Sequence, residues 1–391
     1  MTSEWNHSTI NDVCVLVTDG SHSSPKSVND GKYMVSVKDF TDYGFDFASC
    51  RMISNDDYET LKRNGCVPQM DDILIGKDGA RFFEDIIIYR QKEKPALLSS
   101  IAILRCDKSK ILPDFLYYVL RTPSFRQDVK DNYGSGSAIP RIILKDFKRM
   151  MVSYPSLEKQ QSIISVLTAI DSKIQANTEI NDNLADLLQT IYQERFVNDI
   201  LAVNQGVLSD ICSYSRDKVA VSELNIRTYF STENMLSGKA GSTEATSLPT
   251  TSQTTACHKG DTLISNIRPY FKKIVYCEDN CGCSTDVLCF TPSQPRYSAY
   301  LFSTLYADKF FAFMVAGSKG TKMPRGDKQQ IMTYPVVLPS EEELAGFNTI
   351  ASPLLEQIYS NRAENKRLSI LRDTLLPKLM SGEIDVSAVQ L

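Results

Sequence analysis

Polar and apolar residues follow a helical period in two long stretches of the chain. Apolar side chains recur there at steps of three and four, which places them on one face of an α-helix. The pattern predicts one long helix over residues 156–196 and a second over residues 340–382. Because the apolar stripes follow the spacing of a coiled-coil seam, each helix is expected to pack against another helix.

Two asparagines interrupt the apolar seam of each predicted helix at equivalent positions. They are Asn177 and Asn181 in the first helix, and Asn361 and Asn365 in the second. A buried asparagine in such a seam costs stability and fixes the register and the partner of a helix. A polar patch that faces solvent at a helix bend is the alternative. The matched spacing in the two helices favours the register role.

The remaining sequence consists of short β-type runs bounded by turns rich in glycine, asparagine, aspartate and serine. This alternation predicts an α+β protein with two mixed globular domains, each followed by a long helix. The predicted segments are a first globular domain at 1–155, a first helix at 156–196, a connection at 197–206, a second globular domain at 207–339, a second helix at 340–382 and a tail at 383–391.

The chain also repeats itself at an offset of 184 residues. Residues 134–196 align without a gap to residues 318–380, with 13 identities in 63 positions. Unrelated segments would share roughly 6% of positions at average composition. The repeat therefore predicts two copies of one unit with pseudo-twofold symmetry. Two helices of ~55 Å each, packed as an antiparallel coiled coil, would carry one globular domain at each end.

Composition narrows the class of protein. The chain has 391 residues, 42% of them hydrophobic, and a formal net charge of −4. Any contact with DNA would therefore depend on local basic patches. No apolar run approaches the ~18 residues of a membrane span, and the N-terminus lacks the pattern of a secretion signal. We expect a cytoplasmic protein that does not contact a membrane.

Recognisable catalytic motifs are missing from the sequence. It has no GxxxxGK[ST] loop, no GxGxxG after a strand and no motif for amino-group methylation. Its three histidines are too few and too scattered for a histidine metal site. Cys277, Cys281, Cys283 and Cys289 lie close in sequence, but only the first two have zinc-ligand spacing. We expect ordinary strand cysteines, with a structural zinc as the alternative, and no catalytic activity.

The order of globular domain, helix, globular domain and helix resembles the DNA-specificity subunit of type I restriction–modification systems. The helix starts at 152–161 and 337–340 are similar to that family's conserved helices. Passages that resemble motifs of the family's target-recognition domains are 18–25, 72–79 and 261–270. The second helix start departs from the family, because Leu344 stands where Gln160 lies in the first copy. Identical partner contacts at both helix starts are therefore not expected.

The resemblance implies a protein that recognises DNA without catalysing a reaction. Each target-recognition domain would read one half of a bipartite, gapped target in double-stranded DNA. The helices would set the spacer and dock two modification subunits, which supply methylation of adenine from S-adenosylmethionine. Two restriction subunits would supply translocation and cleavage that require ATP and Mg. The chain itself would bind no cofactor or metal, and it would act on DNA in a prokaryotic cytoplasm.

The DNA contacts implied by this role should come from basic and polar side chains on loops of the two domains. The candidates in the first domain are Lys77 and Arg81, and those in the second are Arg268, Tyr270, Lys272 and Lys273. Two glycine-rich segments precede the helices, at 134–141 and 317–325. Their candidate phosphate contacts are Ser135, Arg141, Lys319, Lys322 and Arg325. A solvated hairpin or a plain loop is the alternative for each of them.

Two further functions are compatible with the sequence. A structural adaptor would use the coiled coil as a scaffold for two protein-binding domains and would not bind DNA. An enzyme that uses dispersed cysteine or carboxylate side chains is the third hypothesis. The DNA hypothesis differs from both because its binding should weaken steeply as the salt concentration rises.

Overall fold

The computed structural model describes residues 5–79, 81–134, 140–198 and 204–386. Ser135, one of the predicted phosphate contacts, lies outside the described residues. The chain forms two compact units. Unit 1 combines Met1–Lys173 with Arg367–Leu391, and unit 2 is Ile174–Lys366. Each unit therefore contains a segment of both long helices.

Unit 1 has a mixed architecture of short strands and helices. Its strands are β1 (Asn6–Thr9), β2 (Cys14–Asp19), β3 (Lys32–Val35), β4 (Phe40–Thr41), β5 (Gly44–Phe45), β6 (Arg51–Ile53), β7 (Ile73–Gly76), β8 (Ile86–Ile88), β9 (Ala96–Leu97), β10 (Ile101–Cys106) and β11 (Met151–Tyr154). Its helices are α1 (Ile10–Val13), α2 (Asn55–Arg63), α3 (Pro113–Arg121), α4 (Pro123–Asn132), α5 (Leu144–Arg149) and the first part of α6 (Leu157–Tyr192).

A four-stranded sheet in the order β2-β10-β7-β8 forms the centre of unit 1. Its neighbouring strands are all antiparallel. All four residues of β7 are buried, which explains why this segment reads as a continuous apolar run. Phe115 of α3 and Leu167 of α6 belong to the same hydrophobic core as Ile73 and Ile75 of β7. The long helix therefore closes the core of this unit.

Unit 2 is built in the same way. Its strands are β12 (Gln205–Val207), β13 (Cys212–Tyr214), β14 (Lys218–Ala220), β15 (Tyr229–Phe230), β16 (Gln253–Cys257), β17 (Thr262–Ser265), β18 (Ile274–Tyr276), β19 (Cys281–Cys283), β20 (Val287–Pro292) and β21 (Pro335–Val337). Its helices are the remainder of α6, which continues as a π-helical turn at Gln193–Val197, then α7 (Ser298–Tyr306), α8 (Asp308–Ala316), α9 (Lys328–Ile331) and the first part of α10 (Glu341–Met380).

The strand order of unit 2 repeats that of unit 1. Its central sheet is β13-β20-β17-β18, and a separate two-stranded pair joins β12 to β21, as β1 joins β11 in unit 1. The internal repeat seen in the sequence therefore extends to the topology of the globular parts, where few residues are identical. The mixture of helix and antiparallel sheet confirms the predicted α+β class.

The two helix segments of unit 2 are joined by the predicted asparagines. Asn177 Nδ2 donates to Asn365 Oδ1 at 2.8 Å and to Glu364 Oε2 at 2.7 Å. Asn361 Nδ2 donates to Asn181 Oδ1 at 2.9 Å. The lower-numbered asparagine of α6 meets the higher-numbered asparagine of α10, and the higher-numbered one of α6 meets the lower-numbered one of α10, so these segments run antiparallel. Asn177, Asn181 and Asn361 are buried, and these hydrogen bonds give each of the three amides a partner, as buried polar groups require.

Unit 1 joins its two helix segments by different chemistry. Asp171 of α6 accepts a hydrogen bond from Arg372 of α10 at 2.9 Å and another from the hydroxyl of Tyr118 at 2.7 Å. An ion pair therefore stands in this helix pair where unit 2 uses amides. Within the described parts of the chain, no helix is long and apolar enough to cross a membrane.

Candidate nucleic-acid interface

One loop occupies an equivalent place in the sheet of each unit. It follows β7 in unit 1 and β17 in unit 2. The amide of Gly79 donates to the carbonyl of Pro140 at 2.9 Å, and the amide of Arg268 donates to the carbonyl of Pro324 at 2.8 Å. The two prolines are themselves equivalent in the sequence repeat. Each loop is thus fastened to the segment that leads towards a long helix.

Lys77 begins this loop in unit 1, and its side chain is only 8% exposed. Its Nζ atom lies 3.5 Å from a carboxylate oxygen of Asp19 and 3.5 Å from one of Asp78. The ring Nε2 of His22 lies 3.3 Å from the other oxygen of Asp19. A lysine held between two carboxylates presents little net charge to a phosphate. Its role as a DNA contact stays a prediction.

Arg81 and Arg141 are two exposed arginines of unit 1 that lie in or beside this loop. Arg81 is 72% exposed and donates to the carboxylate of Asp85 at 2.6 Å. That hydrogen bond raises the pKa of Arg81. Arg141 is also exposed, and its backbone forms a β-bridge with Asp78. The structure therefore brings Arg141 to the same loop as Lys77, although the two are far apart in sequence.

The unit 2 loop carries an exposed aromatic pair between two strained residues. Tyr270 and Phe271 are 49% and 38% exposed, and their ring centroids lie 4.7 Å apart. The residues that flank the short helical turn at Pro269–Phe271 are Arg268 and Lys272, with φ values of 50° and 51°. Left-handed backbone at residues other than glycine is uncommon and concentrates at functional sites.

Lysines surround this aromatic pair. Lys272 and Lys239 both contact the carboxylate of Asp308, at 2.9 and 2.8 Å. These bonds lower the pKa of Asp308, so one negative charge faces two positive charges. Lys273 donates to the carbonyl of Thr232 at 2.6 Å, and burial lowers the pKa of its ammonium group.

The glycine-rich segment at 317–325 lies against the same loop. Lys319 and Arg325 exchange two backbone hydrogen bonds of 2.8 and 2.9 Å. The side chain of Lys319 is paired with Asp327, and that of Arg325 with Asp286 at 3.1 Å. Lys322 is exposed near the tip of the segment. All three predicted cations of this segment are thus at the surface.

We refer to residues 237–241, 266–273 and 317–325 as the unit 2 basic loops. A backbone hydrogen bond joins the first of these loops to the second, because the amide of Lys239 donates to the carbonyl of Lys272 at 2.9 Å. Another joins the second loop to the third, from the amide of Arg268 to the carbonyl of Pro324. These loops contain more cations than the carboxylates that pair with them. The carboxylates are Asp286, Asp308 and Asp327. The cations are Lys239, Arg268, Lys272, Lys273, Lys319, Lys322 and Arg325. A locally positive surface on an acidic chain suits phosphate contact.

A model of the type I restriction modification DNA specificity domain matches residues 2–185. Residues 2–185 belong to this family. The resemblance recognised in the sequence motifs is thereby confirmed. The matched region includes the loop that carries Lys77 and Arg81, and it extends into the long helix α6.

Two relatives support the same assignment. The chain is 23% identical over 339 residues to the type I restriction enzyme MjaIX specificity subunit of Methanocaldococcus jannaschii, covering 71% of each protein. It is 27% identical over 123 residues to the type I restriction enzyme HindI specificity subunit of Haemophilus influenzae, covering 30% of this chain and 26% of the relative.

A solved structure shares the fold across nearly the whole chain. The S subunit of a type I restriction–modification system from M. genitalium superposes with a TM-score of 0.57 at 18% identity. The match covers 97% of this chain and 96% of the solved one. Both copies of the repeat therefore take part in the structural similarity.

Sequence reasoning did not identify Lys239 and Phe271. Lys239 follows a glycine and has a φ of 65°, but a lone lysine in a polar loop gives no sequence signal of its own. Phe271 stands directly beside the candidate Tyr270, so the pair of adjacent aromatics followed by two lysines was the available signal. Exposed aromatic residues next to cations are typical of surfaces that stack on unpaired bases.

The four cysteines that the sequence places close together lie in the core of unit 2. Cys277, Cys281, Cys283 and Cys289 are buried and free, and the Sγ atoms of the first two lie 3.6 Å apart. In the described segments, no group of three or more histidine, cysteine, aspartate or glutamate side chains is arranged to hold a metal ion. These thiols pack with Val275 and Val287 as small apolar residues do.

Proposed function

We propose that this chain is the DNA-recognition subunit of a type I restriction–modification complex. The observation that carries the proposal is the repeated loop. In both units the loop after the equivalent strand is fastened to a proline at the start of the sequence repeat, and it displays arginine, lysine or aromatic side chains. Two similar surfaces with different side chains suit a target made of two different half-sites.

In this proposal unit 1 and unit 2 each read one half-site. The two long helices form an antiparallel coiled coil that sets the gap between the half-sites and docks two modification subunits. The antiparallel asparagine pairs within unit 2 support such a register. The modification subunits bind S-adenosylmethionine, and two restriction subunits use ATP and Mg. This chain is non-catalytic, binds no cofactor itself, and acts on DNA in the cytoplasm of a prokaryote.

The test is a methylome of cells that express this chain with its cognate modification subunit. The expected result is a new methylated adenine within a motif of two short half-sites around a fixed gap. Cells that express the modification subunit alone are the control and should lack this motif. If no motif appears although the complex forms, the adaptor hypothesis takes its place.

Binding measurements on the purified complex provide an independent check. Phosphate contacts release counterions, so the logarithm of the affinity for a duplex should fall linearly with the logarithm of the salt concentration. An affinity that hardly changes between low and high salt would contradict recognition through the basic loops.

A further inference from the structure

Arg268 occupies a backbone position at which an arginine is unfavourable. It lies three residues beyond the end of β17, and its φ and ψ of 50° and 63° are left-handed. Gly79 lies three residues beyond the end of β7 in unit 1, makes the equivalent bond to a proline carbonyl, and has a φ of 94°. Glycine adopts such a conformation without a steric penalty, whereas an L-residue with a Cβ atom is strained. Unit 2 therefore has an arginine at a position where the backbone conformation favours glycine.

The guanidinium group of Arg268 is not used to hold the protein together. Within the described residues its side chain makes no ion pair or hydrogen bond, and its Nε atom is buried without a partner. Three other cations of these loops are committed to carboxylates, as Lys239 and Lys272 are to Asp308 and Arg325 is to Asp286. A buried donor without a partner is unfavourable in the free protein. Arg268 is only partly buried as a residue, so a ligand with acceptor atoms would bind at the terminal nitrogens of its guanidinium group.

The loop that presents Arg268 is held on both sides. Its own amide donates to Pro324 at 2.8 Å, and at the other end the amide of Gly238 donates to the carbonyl of Phe271, also at 2.8 Å. The exposed rings of Tyr270 and Phe271 follow it directly. A fork of donors on a fixed backbone suits a pair of acceptors, which either a phosphate group or the edge of a base provides. The flat apolar rings beside the fork favour the base.

We propose that Arg268 reads a base in the half-site recognised by unit 2. The guanidinium group donates two hydrogen bonds to O6 and N7 of a guanine, which is the commonest specific contact of arginine in DNA grooves. This inference rests on the proposed function. It assigns base recognition to Arg268 and phosphate contact to Lys239 and Lys272, which are paired with Asp308.

The experiment compares the methylome of the wild-type complex with those of complexes carrying Arg268→Gly and Arg268→Lys. Glycine removes the side chain and relieves the backbone strain, while lysine keeps the charge but not the donor fork. Both variants should make the motif degenerate at a single G·C position in one half, with the other half unchanged. On purified complex and the wild-type duplex, affinity should fall about tenfold. The unfolding free energy of Arg268→Gly should be no lower than that of the wild type.

Lys239→Gly is the matched control. Lys239 has the same left-handed strain, with a φ of 65°, but its ammonium group is paired with Asp308. Its removal should weaken binding equally on all duplexes and leave the motif intact. The proposal is overturned if the Arg268 variants keep the full motif, or if they lose affinity equally on all duplexes. A wild-type methylome without any motif would instead refute the proposed function itself.

Discussion

The two units stabilise an equivalent buried carboxylate in different ways. Each has a buried aspartate immediately before the equivalent central strand, Asp72 before β7 and Asp261 before β17. Each carboxylate accepts a hydrogen bond from the amide three residues earlier, at 2.7 Å in unit 1 and 2.8 Å in unit 2. The remaining partners differ. The guanidinium of Arg105 donates twice to Asp72, both times at 2.8 Å, whereas Asp261 accepts from the thiol of Cys289 at 3.2 Å.

The difference has an electrostatic consequence. Asp72 is neutralised by an arginine on the neighbouring strand, while Asp261 contacts the thiol of Cys289 and makes no ion pair within the described residues. Burial therefore raises the pKa of Asp261. The conserved part of the repeat is thus the backbone and its local hydrogen bonds. The side chains around it have diverged, in the core as in the loops, and this divergence lets two copies of one fold present different surfaces.

The largest effect should come from removing the counterion of Asp72. Arg105→Met leaves a buried carboxylate without its ion pair, and the loss of one partner from such a pair costs about 3–5 kcal/mol of unfolding free energy. Urea unfolding measures this loss of unfolding free energy. Thr291→Val is the matched control, because residue 291 holds the same register position in unit 2. That change should cost less than about 1.5 kcal/mol. Equal losses in the two variants would contradict the comparison.

The asparagine pairs should show a strong coupling. Asn181→Leu removes the acceptor of Asn361 Nδ2 and should lower the unfolding free energy by about 1–3 kcal/mol, because a buried donor loses its partner. The double variant Asn181→Leu/Asn361→Leu should recover most of that loss. A double-mutant cycle by urea unfolding gives the coupling energy. Additive losses would mean that the two amides do not depend on each other.

Gly79 and Arg268 should respond to substitution with opposite signs. Gly79→Ala introduces a Cβ atom that meets no neighbour within 4 Å, so its cost is conformational and should be about 1–2 kcal/mol. Arg268→Gly removes strain of the same kind and should not destabilise unit 2. Urea unfolding of the two variants under one set of conditions tests this. A stabilised Gly79→Ala variant would show that the two positions are not equivalent.

The smallest effect concerns the titration of Asp261. A carboxyl whose pKa is raised on folding binds more protons in the folded state, so stability falls as pH rises from about 4 through the raised pKa. Asp261→Asn lacks this fall and should gain up to about 1 kcal/mol relative to the wild type at pH 7. Unfolding free energies at pH 4 and pH 7 measure the difference. Asp72→Asn is the control and should lose stability, because it weakens the contact with Arg105.

Local patterns in the sequence located much of the fold. The helical period predicted helices at 156–196 and 340–382, and the structure has α6 at Leu157–Tyr192 and α10 at Glu341–Met380. The alternative of a solvent-facing asparagine patch does not match the geometry, since Asn177, Asn181 and Asn361 are buried. These features could be read because a helix places residues three and four apart on one face, whatever the rest of the chain does.

The candidate interface was only partly readable in this way. Basic residues in glycine-containing loops pointed to Arg81, Arg268 and the segment 317–325, all of which lie at least partly at the surface. Lys77 has the same local sequence signature but is buried between Asp19 and Asp78. No short window around residue 77 contains Asp19, so the sequence could not distinguish an exposed lysine from a paired one.

The sequence by itself determined the α+β class, the two long helices, the internal repeat and the family motifs, because each depends on residues close together along the chain or on similarity between copies. The tertiary structure alone decided which charges are neutralised. Three examples arise where separate segments meet: the pairing of Arg105 with Asp72, the shared carboxylate of Lys239 and Lys272, and the Nε atom of Arg268, which has no partner in the described part of the chain. Coulombic and hydrogen-bond energies depend on distances in space, and folding sets those distances.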